Sequence, residues 1–390
     1  MSLKKEIRDM KLSLFHTITA TAFSCCLLAA CSNTSIQTQS VNSSLKAAYQ
    51  DNFLIGTAIG NNQLMHPKAE TTHLIEQQFN AATPENDMKW ERIHPKPGVY
   101  DFAAADKFVE FAEKNNIFIT GHTLLWHSQA PDWIFEDEHG QPIGRDALLA
   151  RLKDHINTVV GRYKGRIQSW DVVNEALNED GTMRESKWYK IIGEDMIEKA
   201  FEYAHAADPD AELYYNDYNL NNPQKRAGVV RLVKQLQAKG LRIDGVGMQG
   251  HYSLFHPDFN EVEDSIIAYA KTGVKVMFTE VDISVLLFPE GAEAGADVNQ
   301  NFALQEKLNP YSQGLTPEAE AQLSKRYTDL FKIFLRHEKD ITRVTFWGTD
   351  DGMTWRNDWP MVGRSDYPLL FDRQSMPKAA YFAVMALKQK

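Results

Sequence analysis

Two short apolar runs end in glutamate: Trp170-Asp171-Val172-Val173-Asn174-Glu175 and Val276-Met277-Phe278-Thr279-Glu280-Val281-Asp282. Each carboxylate closes a run rich in β-branched and aromatic residues, so each reads as an acid at a strand end, with helical sequence between the two. A barrel of alternating strands and helices brings such acids from distant sequence to one mouth. Two carboxyl groups are also the minimum for cleaving a glycosidic bond. One protonates the leaving oxygen; the other attacks or stabilises the anomeric carbon. Either glutamate alone fits a solvated acid at a strand end equally well, but their polar neighbours suit sugars.

Those neighbours lie at the other expected strand ends. Glu85, Asn86 and Lys89 follow the second strand, and His122, Trp126, His127 and Gln129 follow the third. Gln249 and His251 end the sixth, Trp347 ends the eighth, and Trp355 follows in its loop. Plainer readings compete at this stage. Trp126, Trp347 and Trp355 each fit a core position, His122 a hydrogen-bonded barrel histidine, and Lys89 a surface charge; His127 and His205 read as structural. A metal site built from His122, His127, His251 and Glu280 is a further alternative. Against it, the first strand carries no His-x-His, and Trp347 stands where a metal barrel would want an acid.

The elements that must position these residues follow from periodicity. Short apolar runs at 53–58, 79–83, 117–122, 168–174, 212–216, 244–249, 275–280 and 343–347 read as strands. Between them the apolar spacing becomes helical. Leu148, Leu152, Ile156, Val159 and Tyr163 form one stripe, ended by Gly165. Asn222 and Pro223 open another as N-cap and first-turn proline; Val229, Val233 and Leu236 line it and Gly240 closes it. Phe259, Val262, Ile266 and Ala270 form a third, stopped by Gly273. Eight strand–helix units predict an α/β fold, a (β/α)8 TIM barrel as a single catalytic domain over 46–390. An open doubly wound sheet shares the same pattern. The run Gly245-Val246-Gly247-Met248-Gln249-Gly250 fits G-x-G-x-x-G, yet it lies within a strand and no helix follows, so it does not read as a dinucleotide site. Residues 289–316 read as a long loop on the catalytic face.

Composition bounds the setting. Residues 1–30 pair Lys4, Lys5, Arg8 and Lys11 with an apolar stretch over 12–30, a secretory signal; translation from Met10 rather than Met1 would make it tidier. Leu28-Ala29-Ala30-Cys31 resembles a bacterial lipoprotein box, with Cys31 as the lipidated residue and Ser32 favouring the outer membrane. A membrane-spanning helix is the alternative, though the run is short for one. Residues 31–45, rich in Ser, Thr, Asn and Gln, read as a flexible tether. All three cysteines lie in the first 31 residues, so the exported domain is expected to rely on its core and not on disulfides. The chain carries −10, and residues 1–30 hold four basic and two acidic groups, which leaves about −12 on the remainder. Such a surface argues against nucleic acid and anionic lipid as partners and suits a neutral carbohydrate. Membrane contact is expected only through the N-terminal lipid, and a monomer is expected.

Six ordered motifs carry a resemblance. Thr83-Pro84-Glu85-Asn86-Asp87-Met88-Lys89-Trp90, Gly121-His122-Thr123-Leu124-Leu125-Trp126-His127-Ser128-Gln129 and Trp170-Asp171-Val172-Val173-Asn174-Glu175-Ala176 resemble glycoside hydrolase family 10. So do Gly247-Met248-Gln249-Gly250-His251, Phe278-Thr279-Glu280-Val281-Asp282 and Thr345-Phe346-Trp347-Gly348, and the late runs from Pro368 to Asp372 and Pro377 to Tyr381 are similar. The resemblance implies a retaining endo-β-1,4-xylanase acting on xylan and xylo-oligosaccharides without metal or other cofactor. It assigns the acid/base to Glu175 and the nucleophile to Glu280. It places Lys89, His122, Trp126, Gln249 and Trp347 around the cleaved sugar, and Glu85, Asn86, Gln129 and Trp355 around the next sugar out. In a retaining enzyme the two carboxyls lie about 5–5.5 Å apart, so an ionised Glu280 is expected to raise the pKa of Glu175. Asp282 is expected to hold the His251 imidazole, which in turn bonds Glu280. The pairs Glu280/Asp282 and Gln249/His251 are each two residues apart and share a strand face. Asn174 and Glu175 are adjacent, so both reach the sugar only if the strand ends or bulges there. Asn174 then meets a sugar 2-hydroxyl. A β-1,4-glucanase on the same barrel and a non-catalytic glycan-binding lipoprotein remain the rival readings.

Overall fold

The computed structural model describes residues 44–291 and 301–389. Its frame is eight strands: β1 (Leu54–Ile59), β2 (Ala81–Pro84), β3 (Phe118–Trp126), β4 (Ser169–Asn174), β5 (Glu212–Asp217), β6 (Gly245–Met248), β7 (Lys275–Ser284) and β8 (Ile341–Phe346). Each pairs in parallel with its neighbours in sequence. β1 also pairs with β8, Leu54 opposite Arg343. The sheet therefore has no open edge, which settles the choice between barrel and open sheet.

A helix follows each strand: α1 (Ala69–Gln78), α2 (Ala103–Lys114), α3 (Arg145–Arg162), α4 (Met196–Ala207), α5 (Pro223–Ala238), α6 (Phe259–Ala270), α7 (Pro317–Arg336) and α8 (Ala379–Ala386). Their inward faces are those marked by the periodicity. Leu148, Leu152, Ile156 and Val159 of α3 are fully buried, and so are Val229, Val233 and Leu236 of α5. Asn222 caps α5 through its side chain, accepting from the Gln224 N–H, with Pro223 in the first turn. Asp258 caps α6 in the same way. Ser44 caps a short helix that opens at Leu45, one residue before the expected domain start at 46. The signal segment, Cys31 and most of the tether lie outside the described residues, as do 292–300 of the long loop.

Most strand bounds shift from expectation, and three ends near the site do so for a backbone reason. β3 continues past His122 to Trp126, because a register shift lets Leu125 and Trp126 pair with Val173 and Asn174 of β4. β7 continues past Glu280 to Ser284, because Asp282, Ile283 and Ser284 pair with a further three-residue strand, His251–Ser253. Glu280 therefore lies within a strand, not at its end. β6 stops early, at Met248, and Gly250 with φ 83° turns the chain before His251. The glycines of the false dinucleotide pattern have structural reasons. A Cβ on Gly247 would lie 2.4 Å from Asn216 Oδ1, and Gly250 adopts a torsion that side chains disfavour.

Candidate active site

Side chains from the carboxyl-terminal halves of the strands line one cleft of about 360 Å³. Of the residues expected at the site, Glu85, Asn86, Lys89, His122, Trp126, Gln129, Asn174, Glu175, Gln249, His251, Glu280, Trp347 and Trp355 all line it. Asp282 does not; it is fully buried behind His251. Trp126 and Trp347 are 5 % and 6 % exposed, so they are buried and line the cleft at once.

β4 ends at Asn174, and Glu175 takes φ 58°, the left-handed region. This torsion resolves the expected conflict, for it turns the Glu175 side chain to the face that Asn174 already occupies. The cost of such a conformation for a residue other than glycine is roughly 1–3 kcal/mol, and the surrounding structure must impose it. The carboxyl accepts from Trp126 Nε1 at 2.9 Å and Gln249 Nε2 at 2.9 Å, with Asn174 Nδ2 at 3.3 Å. Burial pushes the Glu175 pKa up to about 7; negative Asp217 adds to this, and Glu280 contributes least among the causes. The expected origin is therefore reordered. Burial comes first, Asp217 second, and the partner carboxylate is a minor influence.

Glu280 is treated the opposite way. Burial alone would raise its pKa, yet the hydrogen bond from His251, attraction to His122 and His251, and the bond from Asn216 together hold it below the usual carboxylate range. His251 Nε2 lies 3.2 Å from Glu280 and Nδ1 lies 3.0 Å from Asp282. Burial disfavours a charged His251, but Asp282 and Glu280 outweigh it and raise the imidazole to about 9. At neutral pH His251 thus donates from both ring nitrogens. Asp282 meets burial with the Arg356 guanidinium and His251, which pull it down to about 2. Arg356 Nε donates to it at 2.8 Å, and Trp355 Nε1 at 2.8 Å. Trp355 has its N–H taken, so only its ring faces the cleft.

Lys89 is buried and donates to Asn86 Oδ1 and Gln129 Oε1, each at 2.9 Å, 4.8 Å from the Trp126 ring centre. Burial lowers its pKa against attraction from Glu85, Glu280 and Glu175. The Glu85 carboxylate packs over Gly60, where a Cβ would come within 2.8 Å. His122 Nδ1 is bound to Asp171 at 2.9 Å. Among the described residues no group of three or more His, Cys, Asp or Glu is arranged to hold a metal ion. Both ring nitrogens of His251 are engaged with carboxylates, Nδ1 with Asp282 and Nε2 with Glu280.

Sequence reasoning passed over Asn216, which ties the site together. Its Nδ2 donates to Glu280 Oε1 at 2.8 Å and to Asn174 Oδ1 at 2.9 Å, while its own oxygen accepts from Thr279. The signal was present: a polar residue after Leu213-Tyr214-Tyr215 at the end of the fifth strand, the rule that found the others. Arg356 and Asp171 carried no such signal, because they act only through another residue.

Residues 44–387 match the family model of glycosyl hydrolase family 10. An endo-1,4-β-xylanase A of Xylanibacter ruminicola is 46 % identical over 335 residues, covering 86 % of this chain and 90 % of that protein. A β-1,4-xylanase of Dictyoglomus thermophilum is 46 % identical over 344 residues, 88 % and 90 % of the two chains. The solved structure of a family 10 endoxylanase from a sugarcane-soil metagenome superposes with a TM-score of 0.84 at 48 % identity, covering 89 % of this chain and 99 % of that one. With a closed barrel, two buried glutamates in one cleft and these relatives along nearly the whole described length, the chain belongs to glycosyl hydrolase family 10.

Proposed function

We propose that the protein is a retaining endo-1,4-β-xylanase in which Glu175 is the general acid/base and Glu280 the nucleophile. The observation that carries the reading is the opposed ionisation of two carboxyls lining one cleft: Glu175 is raised to about 7 and Glu280 is held below its usual range. Both curated relatives described above are named as xylanases.

In the first displacement a Glu280 oxygen bonds the anomeric carbon as the glycosidic bond breaks, and the departing oxygen takes the Glu175 proton. Glu280 becomes a neutral ester. Water then attacks the same carbon and gives a proton to the Glu175 carboxylate. The ester bond breaks, Glu280 recovers its charge, and two inversions give net retention. Asn174 sits within this frame to bond the sugar 2-hydroxyl. Lys89, His122, Trp126, Gln249 and Trp347 surround the cleaved sugar, and Glu85, Asn86, Gln129 and the Trp355 ring hold the next.

Proton NMR of xylohexaose digestion tests this, with cellohexaose alongside. Early β-anomer from the xylose oligomer alone supports substrate and retention together. Early α-anomer overturns the roles; turnover of cellohexaose alone moves the substrate to a glucan; silence on both leaves a binding protein. Glu280→Ala should lose hydrolysis by several orders of magnitude, and near-normal turnover would refute the nucleophile.

We also propose a lipid anchor at Cys31 that keeps the enzyme at the cell envelope, outer membrane favoured, where it acts as a monomer on soluble xylo-oligosaccharides. The basic flank, apolar stretch and Leu28-Ala29-Ala30-Cys31 support it. Equal labelling of wild type and Cys31→Ala by radioactive palmitate would rule the anchor out. A kinetic preference for insoluble xylan over short oligomers would count against the substrate.

A further inference from the structure

A left-handed glutamate persists only where its surroundings hold it, and two hydrogen bonds flank Glu175. Its N–H donates to Asn216 O at 2.9 Å, and its carbonyl accepts from Arg184 Nε at 3.0 Å. Arg184 reaches that carbonyl because the chain after β4 doubles back. Leu177 bridges Met183, and the Arg184 N–H donates to Ala176 O at 2.8 Å. The far side of the guanidinium is anchored in turn. Arg184 Nη2 donates to Tyr218 Oη at 2.7 Å, and the Lys225 ammonium lies 3.6 Å from the Tyr218 ring centre. Lys225 is fully buried and pairs with Asp217 at 2.9 Å and Glu179 at 3.2 Å. Arg184 itself is absent from the cleft lining.

We propose that Arg184 is a positioning residue for proton transfer: it holds the Glu175 backbone left-handed, so that the carboxyl stands beside Trp126 and Gln249, and Tyr218 over Lys225 fixes Arg184. The proposal rests on the acid/base reading of Glu175. It explains why an arginine stands here. One donor must meet a carbonyl while a second meets a phenol, and a rigid fork does both where an ammonium is a single point. Without that fork the backbone after Asn174 relaxes toward extended torsions. Alternation then sends the Glu175 carboxyl to the opposite face of the strand.

The test is kcat/KM on two aryl β-xylobiosides, one with a phenyl and one with a 2,4-dinitrophenyl leaving group. Phenoxide needs a proton to depart; dinitrophenoxide does not. General acid catalysis contributes roughly 10²–10⁴-fold. Arg184→Ala is therefore expected to lose on the order of a hundredfold on the phenyl substrate while staying near wild type on the dinitrophenyl one. Arg184→Lys should recover little. Tyr218→Phe removes only the anchoring hydroxyl and should show the same selectivity in smaller measure, which keeps the test open if Arg184→Ala fails to fold. Equal loss on both substrates in the folded variants, or no loss on either, overturns the positioning role. Glu175→Ala separates the two readings. If it shows no leaving-group selectivity, the acid/base assignment itself fails; if it does and the Arg184 and Tyr218 variants do not, only the present inference fails.

Discussion

Asn174 and Glu175 show how much can turn on one torsion. Their types and position were legible in the sequence, but their adjacency puts them on opposite faces until Glu175 adopts φ 58°. The same limit applies to charge. That Glu175 should hold its proton was legible; that burial and Asp217 do most of this was not, because Asp217 lies 42 residues away (positions 175 and 217). With Glu175 as the proposed general acid, kcat/KM on a xylo-oligosaccharide should fall as pH rises through about 7. Glu175 has Trp126 from β3, Gln249 after β6, Asp217 from β5, Glu280 from β7, Lys89 after β2 and Arg184 after β4 around it. Asp217→Asn removes a negative neighbour and leaves positive Lys225 in place, so the proton is held less tightly and the alkaline limb should move to lower pH. A limb that stays put or moves up in the pH–rate profile would exclude that influence.

At the scale of elements, the barrel strands were legible from apolar runs, but their lengths depended on neighbours. β3 and β7 run longer than expected because each finds a partner across a register shift or a break. β3 also carries a close approach that no periodicity announces. A Cβ on Gly121 would fall 2.2 Å from the Trp170 ring of β4. Trp170 is buried and cannot move aside, so Gly121→Ala should cost about 1–3 kcal/mol or more by overpacking, read as a lower urea midpoint. Under the third unit lies a second buried arrangement. His94 and His155 of α3 face each other at 3.3 Å, Trp90 stacks on His155 at 3.5 Å between centroids, and Tyr100 stacks on His94 at 3.8 Å. Burial lowers His94 to about 4 and His155 well below its ordinary value, His94 adding to the latter. Both folded-state values lie below the unfolded ones, so the unfolded chain takes up protons first. Stability is full above the ordinary histidine range and is lost as pH falls from there toward 4. Each proton gives a slope of about 1.4 kcal/mol per pH unit. His155→Leu should flatten the fall in urea midpoint between pH 7 and pH 5; an unchanged slope would show that the pair does not govern acid sensitivity.

At the scale of the molecule, closure joins the two ends of the described chain. β1 pairs with β8, and Tyr49 Oη donates to Val384 O of α8 at 2.8 Å. Tyr49 and Phe53 also pack on Phe331 and Phe334 of α7. Tyr49→Phe keeps that packing and removes one of two donors to the Val384 carbonyl, the Leu387 N–H at 3.2 Å remaining. It should cost about 0.5–1.5 kcal/mol in equilibrium unfolding; no change would mean that the Leu387 N–H alone satisfies the carbonyl. The sequence by itself determined the alternation of strand and helix, the acids near the strand ends, the caps and stripes of the helices, and the family motifs. These are local properties of periodicity, turn chemistry and residue type, and each is visible within a few residues. Only the tertiary structure decided that the sheet closes, that Asn216 bridges Asn174 to Glu280, and that Arg184 clamps the backbone of Glu175. Those outcomes depend on register and on distances of a few ångströms between strands and loops remote in sequence, which the pattern within any one segment does not contain.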